Sequence, residues 1–551
     1  MLKVKTVSSL EKAFADQRIE DFTELKKISA LRGERIAFQI LHTDENSTVN
    51  HALAAFTYGG ELAKYATVRA VMSVPVMLPA YPTTKCDNYL RRTPGMYPDV
   101  LIPMHYENSL TVYPEVLGAV YVEIDIPREG LIGEREFTAK IELSGETAEL
   151  SFTVDIIDAA IPENELYVTQ WFHCDCLAQQ YNVPVWSEEH WRIVESFVKV
   201  AVKNGINLLL TPIFTPPLDT KRGGERLTNQ LVGISVDGGK YSFDFTLLER
   251  WIEMCNRCGV KYFEIAHFFT QWGAEHAPKI MATVDGEYKK IFGWETDAHG
   301  EEYREFLNAF IPALLSFMRA RGDDKRCLFH VSDEPTLDNL ESYKESKAMV
   351  AELLEGYTVM DALSNYDFYR DGIVTTPIPA NNHIKPFIEN KTPNLWTYYC
   401  CGQHERVSNR FLAMPGARTR SIGMQMYKYD IVGFLQWGFN FYNNRYSVNG
   451  INPYLDPSGD NFVPAGDMYS VYPAESGEAY ESLRICTFFE ALQDIAAMKL
   501  CEKYYNKEEI VEAIERTFGG EIRFDVCARE SGEMLAVREC INEMIRKKVN
   551  G

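Results

Sequence analysis

The hydrophobic period changes once along this chain, near Ile161-Pro162, and that change limits the folds open to it. Upstream, Ile36, Phe38 and Ile40 alternate with Ala37 and Gln39, and Val120, Val122, Ile124 and Ile126 alternate with Tyr121, Glu123 and Asp125. A period of two belongs to strands with one buried face. The runs 137–143 and 148–156, joined through Ser144-Gly145, predict a hairpin. Several such strands separated by Gly and Pro predict an antiparallel β-sandwich over residues 1–160.

Downstream, apolar strand-length runs alternate with amphipathic helical ones, the pattern of βα units around a parallel sheet. Strands are expected at 166–172, 206–214, 260–269, 327–331, 358–363, 374–378, 395–400 and 431–439. Helices are expected at 188–203, 245–258, 301–321, 337–354 and 478–500. About eight strands suit a (β/α)₈ barrel over residues 161–501, closed by the last helix through Leu483, Phe488, Leu492, Ile495 and Ala496. Residues 502–551 read as a mostly helical C-terminal extension broken at Gly519-Gly520. A multidomain α/β chain is also what 551 residues demand, since single cores stop growing well before that length. The connections 215–241 and 271–300 are long, and long structured loops on barrels are frequently functional.

A formal net charge of -22, with no long basic run, speaks against a nucleic-acid partner or an anionic membrane surface. The N-terminus lacks the apolar core of a secretory signal, so a cytoplasmic protein is expected. Twelve cysteines in so long a chain predict free thiols. Cys255 and Cys258 form a CxxC pair inside a helical pattern, without a second pair at zinc-ribbon spacing, so no metal is expected. No GxGxxG or GxxxxGK[ST] stands at a strand-to-helix turn, so no nucleotide cofactor is expected either.

The stretch Arg326-Cys-Leu-Phe-His-Val-Ser-Asp-Glu-Pro-Thr336 is a short apolar strand ending in Asp333 and Glu334, with Pro335 forbidding its extension. The acids therefore sit in a strand-to-helix loop, on the face where α/β folds bind ligands. The plain alternative is a helix lead-in, with a carboxylate near the positive end of the dipole. Other strand ends carry residues suited to sugars: Trp171 and His173 after the first, His267 and Trp272 after the third, Trp396 and Tyr398 on the seventh, Trp437, Asn440 and Tyr442 after the eighth. Aromatic rings take the C–H faces of a sugar, and His, Asn and acids take its hydroxyls. Taken singly, each aromatic suits a core and each histidine suits a satisfied buried imidazole.

Two-carboxylate glycosidases need acids about 5 Å apart to retain configuration or about 6.5–9.5 Å apart to invert it. Asp175 and Asp361 are candidates for a second carboxylate. Neighbouring acids are badly placed to flank one bond, but they suit substrate assistance. Glu334 protonates the leaving oxygen, while Asp333 holds a 2-acetamido group whose oxygen attacks the anomeric carbon, giving an oxazolinium. Glu334 then needs a raised pKa, from apolar surroundings and the Asp333 charge.

At these residues the chain resembles glycoside hydrolase family 123. The likeness is carried by Asp333-Glu334, Leu395-Trp396-Thr397-Tyr398-Tyr399-Cys400-Cys401, Arg420, and Gly433-Phe434-Leu435-Gln436-Trp437-Gly438-Phe439-Asn440-Phe441-Tyr442. It continues in Gly466-Asp467, Tyr472-Pro473 and Ser482-Leu483-Arg484, and in the N-terminal half in Glu34-Arg35-Ile36-Ala37-Phe38-Gln39 and Tyr97-Pro98-Asp99-Val100-Leu101-Ile102-Pro103. The resemblance implies an N-terminal sandwich and a catalytic barrel. It also implies a retaining exo-β-N-acetylgalactosaminidase with Asp333 as acetamido stabiliser and Glu334 as acid/base. Trp396, Tyr398, Trp437 and Asn440 become sugar contacts. The alternatives are a glycosidase on a non-acetamido sugar and a non-hydrolytic carbohydrate-binding barrel; in each case the partner is a glycan.

Overall fold

The computed structural model describes residues 1–45, 52–104 and 109–549. The N-terminal part is two five-stranded sheets. One runs Leu2–Ser8, Arg35–Asp44, Gly118–Asp125, Ala66–Val76, Gly95–Pro103, antiparallel throughout. The other runs Lys27–Arg32, Glu146–Ala160, Gly133–Leu143, Ala52–Gly59, Ser109–Val112, with only its first pair parallel. Alternation places Ile36, Phe38, Ile40, Val120, Val122 and Ile124 in one core with Phe137, Ile141, Phe152 and Val154. Phe38 stacks on Phe152 at 3.8 Å. The expected hairpin is present: Leu143 pairs with Glu146 across Ser144 (φ 51°) and Gly145 (φ 86°), both left-handed as a two-residue turn requires.

Beyond Ile161 the fold is mixed α/β. The parallel strands, in chain order first to eighth, are Tyr167–Gln170, Leu208–Thr211, Tyr262–Ile265, Cys327–Phe329, Thr358–Leu363, Thr376–Pro379, Trp396–Tyr398 and Gly433–Gln436. They pair as two sheets rather than one continuous ladder: the second to sixth in a sheet of five, and the first, eighth and seventh in a sheet of three. A single parallel bridge, Ala380 to Tyr398, links the sixth strand's end to the seventh. At the other seam the Asn207 side chain accepts from Val168 N at 2.9 Å and Asn207 N donates to Val168 O at 3.1 Å.

Helices Glu188–Lys203, Thr246–Cys258 and Glu301–Arg321 follow the expected spacing. The stretch 337–354 starts with a 3₁₀ turn, Leu337–Asn339, before Leu340–Ala351. The helix expected at 478–500 starts instead at Leu483, because Ala479–Glu481 pairs with Val471–Pro473 and the Ser482 hydroxyl caps by accepting from Ile485 N. The two long connections fold onto each other: Gly233–Asp237 and Lys240–Asp244 join Ile280–Val284 and Glu287–Phe292 in a four-stranded sheet. Helices Lys507–Phe518 and Ser531–Val549 form the C-terminal region, the first ending at left-handed Gly519. No helix among the described residues is long and apolar enough to cross a membrane.

Buried ion pairs tie these parts together. Asp99 receives Arg484 through Nε and Nη2 at 2.8–3.1 Å and the Tyr472 hydroxyl at 2.7 Å, with both charged side chains fully buried. Arg420 pairs with Asp494 and Glu490, and Arg538 with Asp494 and Glu34. Breaking such a pair leaves an uncompensated buried charge. Arg484→Met should therefore lower stability by about 3–5 kcal/mol, read as an earlier urea midpoint, whereas Arg523→Met, which breaks an exposed bridge to Asp525, should leave the midpoint in place.

Candidate active site

The fourth strand stops at Phe329 and the chain passes through His330, Val331 and Ser332 into Asp333-Glu334-Pro335. This passage is held from both sides. Val331 N donates to Asp361 Oδ1 at 3.1 Å, Ser332 Oγ to Thr270 O at 2.8 Å, and Trp272 N to Asp333 O at 3.0 Å. The helix that follows is capped by Thr336 and Asn339, whose side chains each accept from the other's backbone N–H. The acids are thus free of the capping duty that the plain sequence reading offered them.

Glu334 adopts φ 46°, left-handed backbone that costs an L-residue roughly 1–2 kcal/mol. In extended chain, neighbouring side chains point to opposite faces. The left-handed residue breaks that alternation, and both carboxylates line one cavity of about 190 Å³. Trp171, Trp272, Tyr398 and Trp437 line it too, with Asp219, Gln271, Cys400, Cys401, Arg445 and Tyr446. Tyr398 Oη donates to Glu334 Oε1 at 2.7 Å. Trp272, 46% exposed and itself left-handed at φ 59°, meets Tyr446 edge-on at 6.0 Å at the mouth.

Burial pushes both acids up. For Asp333 the Glu334 charge adds to burial and His330 opposes it; for Glu334 the Tyr398 hydrogen bond opposes. Asp219 is raised to about 6 by burial. Two nearby cations are committed to other acids, Arg226 to Asp175 and His330 to Glu264 and Asp361, while Arg445 on the lining opposes the burial of Asp219.

Of the expected sugar contacts, His173, His267, Trp396, Asn440 and Tyr442 do not reach the cavity. His173 donates from Nε2 to Trp437 O at 2.9 Å and accepts Arg226 at Nδ1, while Asn440 bonds both its N–H and its carbonyl, so the pair braces Trp437 from behind. Tyr442 spends its hydroxyl on Val471 O at 2.9 Å. His267 lies beneath Trp171, stacked on His330. Trp396 opens the seventh strand instead of ending it. It packs on Tyr167 at 5.3 Å and over Gly433, where a Cβ would come within 2.1 Å of its ring, and borders a different cleft with Asn394 and Val432.

The two candidate second carboxylates are also occupied. Asp175 takes both Arg226 Nε and Nη2, at 2.7 and 2.8 Å; Asp361 takes His330, Tyr343 Oη and Val331 N. Sequence reasoning missed Asp219, Tyr446 and Arg445. Asp219 could have been sought in the long loop 215–241, and a clue to Tyr446 exists only in its backbone, φ 61°.

Among the described residues two clusters have donor sets of the kind that hold metals: His267, His330 and Asp361, and Glu123, Glu481 and Cys486. In the first the imidazoles are stacked at 4.3 Å and 22°, so an ion in the plane of one ring lies off the plane of the other. In the second, Arg69 and Lys203 already supply the positive charge. A larger cavity of about 390 Å³ lies between strand Lys27–Arg32 and helix Ser531–Val549, where Arg420 and Arg538 hold Glu490 and Glu34.

Residues 171–501 match the family described as glycoside hydrolase 123, catalytic domain. A solved structure of a family 123 glycoside hydrolase from Clostridium perfringens, analysed for glycolipid glycan hydrolysis, superposes with a TM-score of 0.75 at 14% identity, covering 100% of both chains. A β-glucuronidase from Parabacteroides merdae reaches a TM-score of 0.31 at 10% identity, over 90% of this chain and 51% of its own. No curated protein matches the sequence.

Tyr398 supplies the interaction that opposes burial at Glu334. Tyr398→Phe should raise the Glu334 pKa further, read by ¹³C-carboxyl NMR titration of the acid pair; a fall would contradict this placement.

Proposed function

The chain belongs to glycoside hydrolase family 123, and from that premise we propose that it is an exo-acting, retaining hydrolase releasing a terminal β-linked N-acetylhexosamine, GalNAc before GlcNAc. In this reading residues 161–501 are a catalytic (β/α)₈ barrel, preceded by a sandwich (1–160) and followed by a helical extension (502–551). The observation that carries the proposal is the pair itself: two consecutive acids turned into one small cavity by the left-handed backbone of Glu334, while Asp175 and Asp361 are spent elsewhere.

Glu334, whose carboxyl burial pushes upward, gives its proton to the glycosidic oxygen as the C1–O bond breaks. The acetamido oxygen forms the new bond to C1 from the opposite face, and the Asp333 carboxylate takes the acetamido N–H and offsets the positive charge of the oxazolinium. Water then attacks C1 while the Glu334 carboxylate accepts its proton, and the oxazolinium ring opens. Two inversions give net retention. A cavity of about 190 Å³ is smaller than the roughly 300–1,000 Å³ of drug-sized sites, which favours one terminal sugar over an internal segment of chain. Trp171 and Trp437 offer apolar faces to that ring, and Asp219 an acceptor for its hydroxyls.

GalNAc-thiazoline, an oxazolinium mimic, should inhibit competitively, and aryl β-GalNAc should be cleaved in strong preference to the matching β-galactoside. Equal cleavage of both would refute substrate assistance; trapping by a 2-fluoro glycoside would instead identify a protein nucleophile, with Asp219 the carboxylate to examine. Glu334→Gln should lower kcat on unactivated glycosides by about 10²–10⁴-fold, with less loss on aryl substrates whose leaving group needs no proton. The kcat/KM profile should be bell-shaped. Its acidic limb is the first ionisation of the pair and its basic limb the loss of the Glu334 proton, both above the usual carboxylate range because burial raises both acids.

A further inference from the structure

Beneath the cavity lies a fully buried group for which the reaction above has no use. His330, three residues before Asp333, places Nε2 2.8 Å from Glu264 Oε1 and Nδ1 3.2 Å from Asp361 Oδ1. Facing carboxylates on both sides, both nitrogens must donate, so the ring is an imidazolium. Burial alone would lower its pKa, but the two acids outweigh burial and carry it to about 10. Its other neighbours add no competing charge. His267 stacks on it at 4.3 Å and is held neutral by burial and by the His330 charge; Trp171 meets it edge-on at 6.5 Å; Tyr343 reaches it only through Asp361. The assembly is joined to the cavity at two points. Trp171 Nε1 donates to Glu264 Oε1 at 2.7 Å, and Asp361 holds the backbone of Val331, two residues from Asp333.

The geometry points to His330 as a positioning residue: a fixed cation under the cavity that favours the carboxylate form of Asp333 against the buried acids around it. This rests on the substrate-assisted reading, in which the two acids must hold unlike protonation states at the same pH. Among the groups acting on Asp333, His330 favours the ionised form, whereas Glu334, Asp361 and Glu264 disfavour it. The assembly is one cation between two carboxylates, so its two kinds of member should act on Asp333 in opposite directions.

The test is the pH profile of kcat/KM for an aryl β-N-acetylhexosaminide. His330→Gln removes the cation and should move the acidic limb upward by about one pH unit, a roughly tenfold loss on the acidic side. Glu264→Gln removes an anion but keeps an oxygen for Trp171, and should move the same limb downward. A purely structural role predicts no such opposition. An acidic limb that stays in place in either folded variant, or moves the same way in both, overturns the inference, and Glu264→Gln alone decides it if His330→Gln does not fold. GalNAc-thiazoline on the wild-type enzyme separates the two failures. Inhibition together with unmoved limbs removes only the role of His330, whereas no inhibition removes the reaction it was meant to serve.

Discussion

A charge withdrawn from water has to be answered by another charge or by hydrogen bonds, and the whole molecule is arranged around that requirement. Asp99 meets Arg484, Glu34 and Asp494 meet Arg538, Asp494 and Glu490 meet Arg420, and Asp175 meets Arg226. The acids around the cavity are treated differently. Asp219, Glu334 and, behind Trp437, Asp467 enter no ion pair among the described residues, nor does Asp333, and the side-chain carboxyls of the first three accept hydrogen bonds from neutral groups such as Tyr398 Oη and Trp437 Nε1. The scaffold pairs its buried acids at the joints between its parts and leaves these cavity carboxyls outside any ion pair among the described residues.

Much of this was legible in the residue pattern, and what was not has a physical reason. Period-two alternation identifies the sandwich because one face of each strand is buried, and Ser144-Gly145 marks its hairpin because that turn needs left-handed backbone. Alternation says which face of a strand is inside, but not which end of a short parallel strand faces the ligand. Trp396 and Tyr398 share one three-residue strand, yet only Tyr398 reaches the cavity. The helix expected from 478 shows the same limit, since amphipathic periodicity runs on past the capping serine that decides where the turns begin. Lone histidines were hardest to place, because their role depends on partners far away in sequence, such as Arg226 for His173 and Glu264 for His330.

The motifs that carry the family likeness turn out to be largely joints. Asp99, Tyr472 and Arg484 come from three separate runs and meet in one buried hydrogen-bonded cluster. Arg420 joins Asp494 and Glu490, and through Asp494 the network extends to Arg538 and Glu34. Cavity-lining groups come partly from the long connections rather than from strand ends. Trp272 and Asp219 belong to the two long connections, linked where Asp219 N donates to the Gln271 side chain at 2.6 Å, and the Asp219 carboxylate accepts from Tyr446 N of a third loop. The cavity mouth is therefore one connected rim.

Helix Ser531–Val549 lies against strands Lys27–Arg32 and Glu146–Ala160, where Arg538 takes Glu34, Asn542 holds Ser29, and Arg546 reaches Asp155. During synthesis on a ribosome, the sheet is complete once Ala160 has emerged, but this cover on its outer face waits for roughly 370 further residues. A chain interrupted between Phe462 and Ser531 would present that face uncapped to quality-control machinery even with every cavity-lining residue in place.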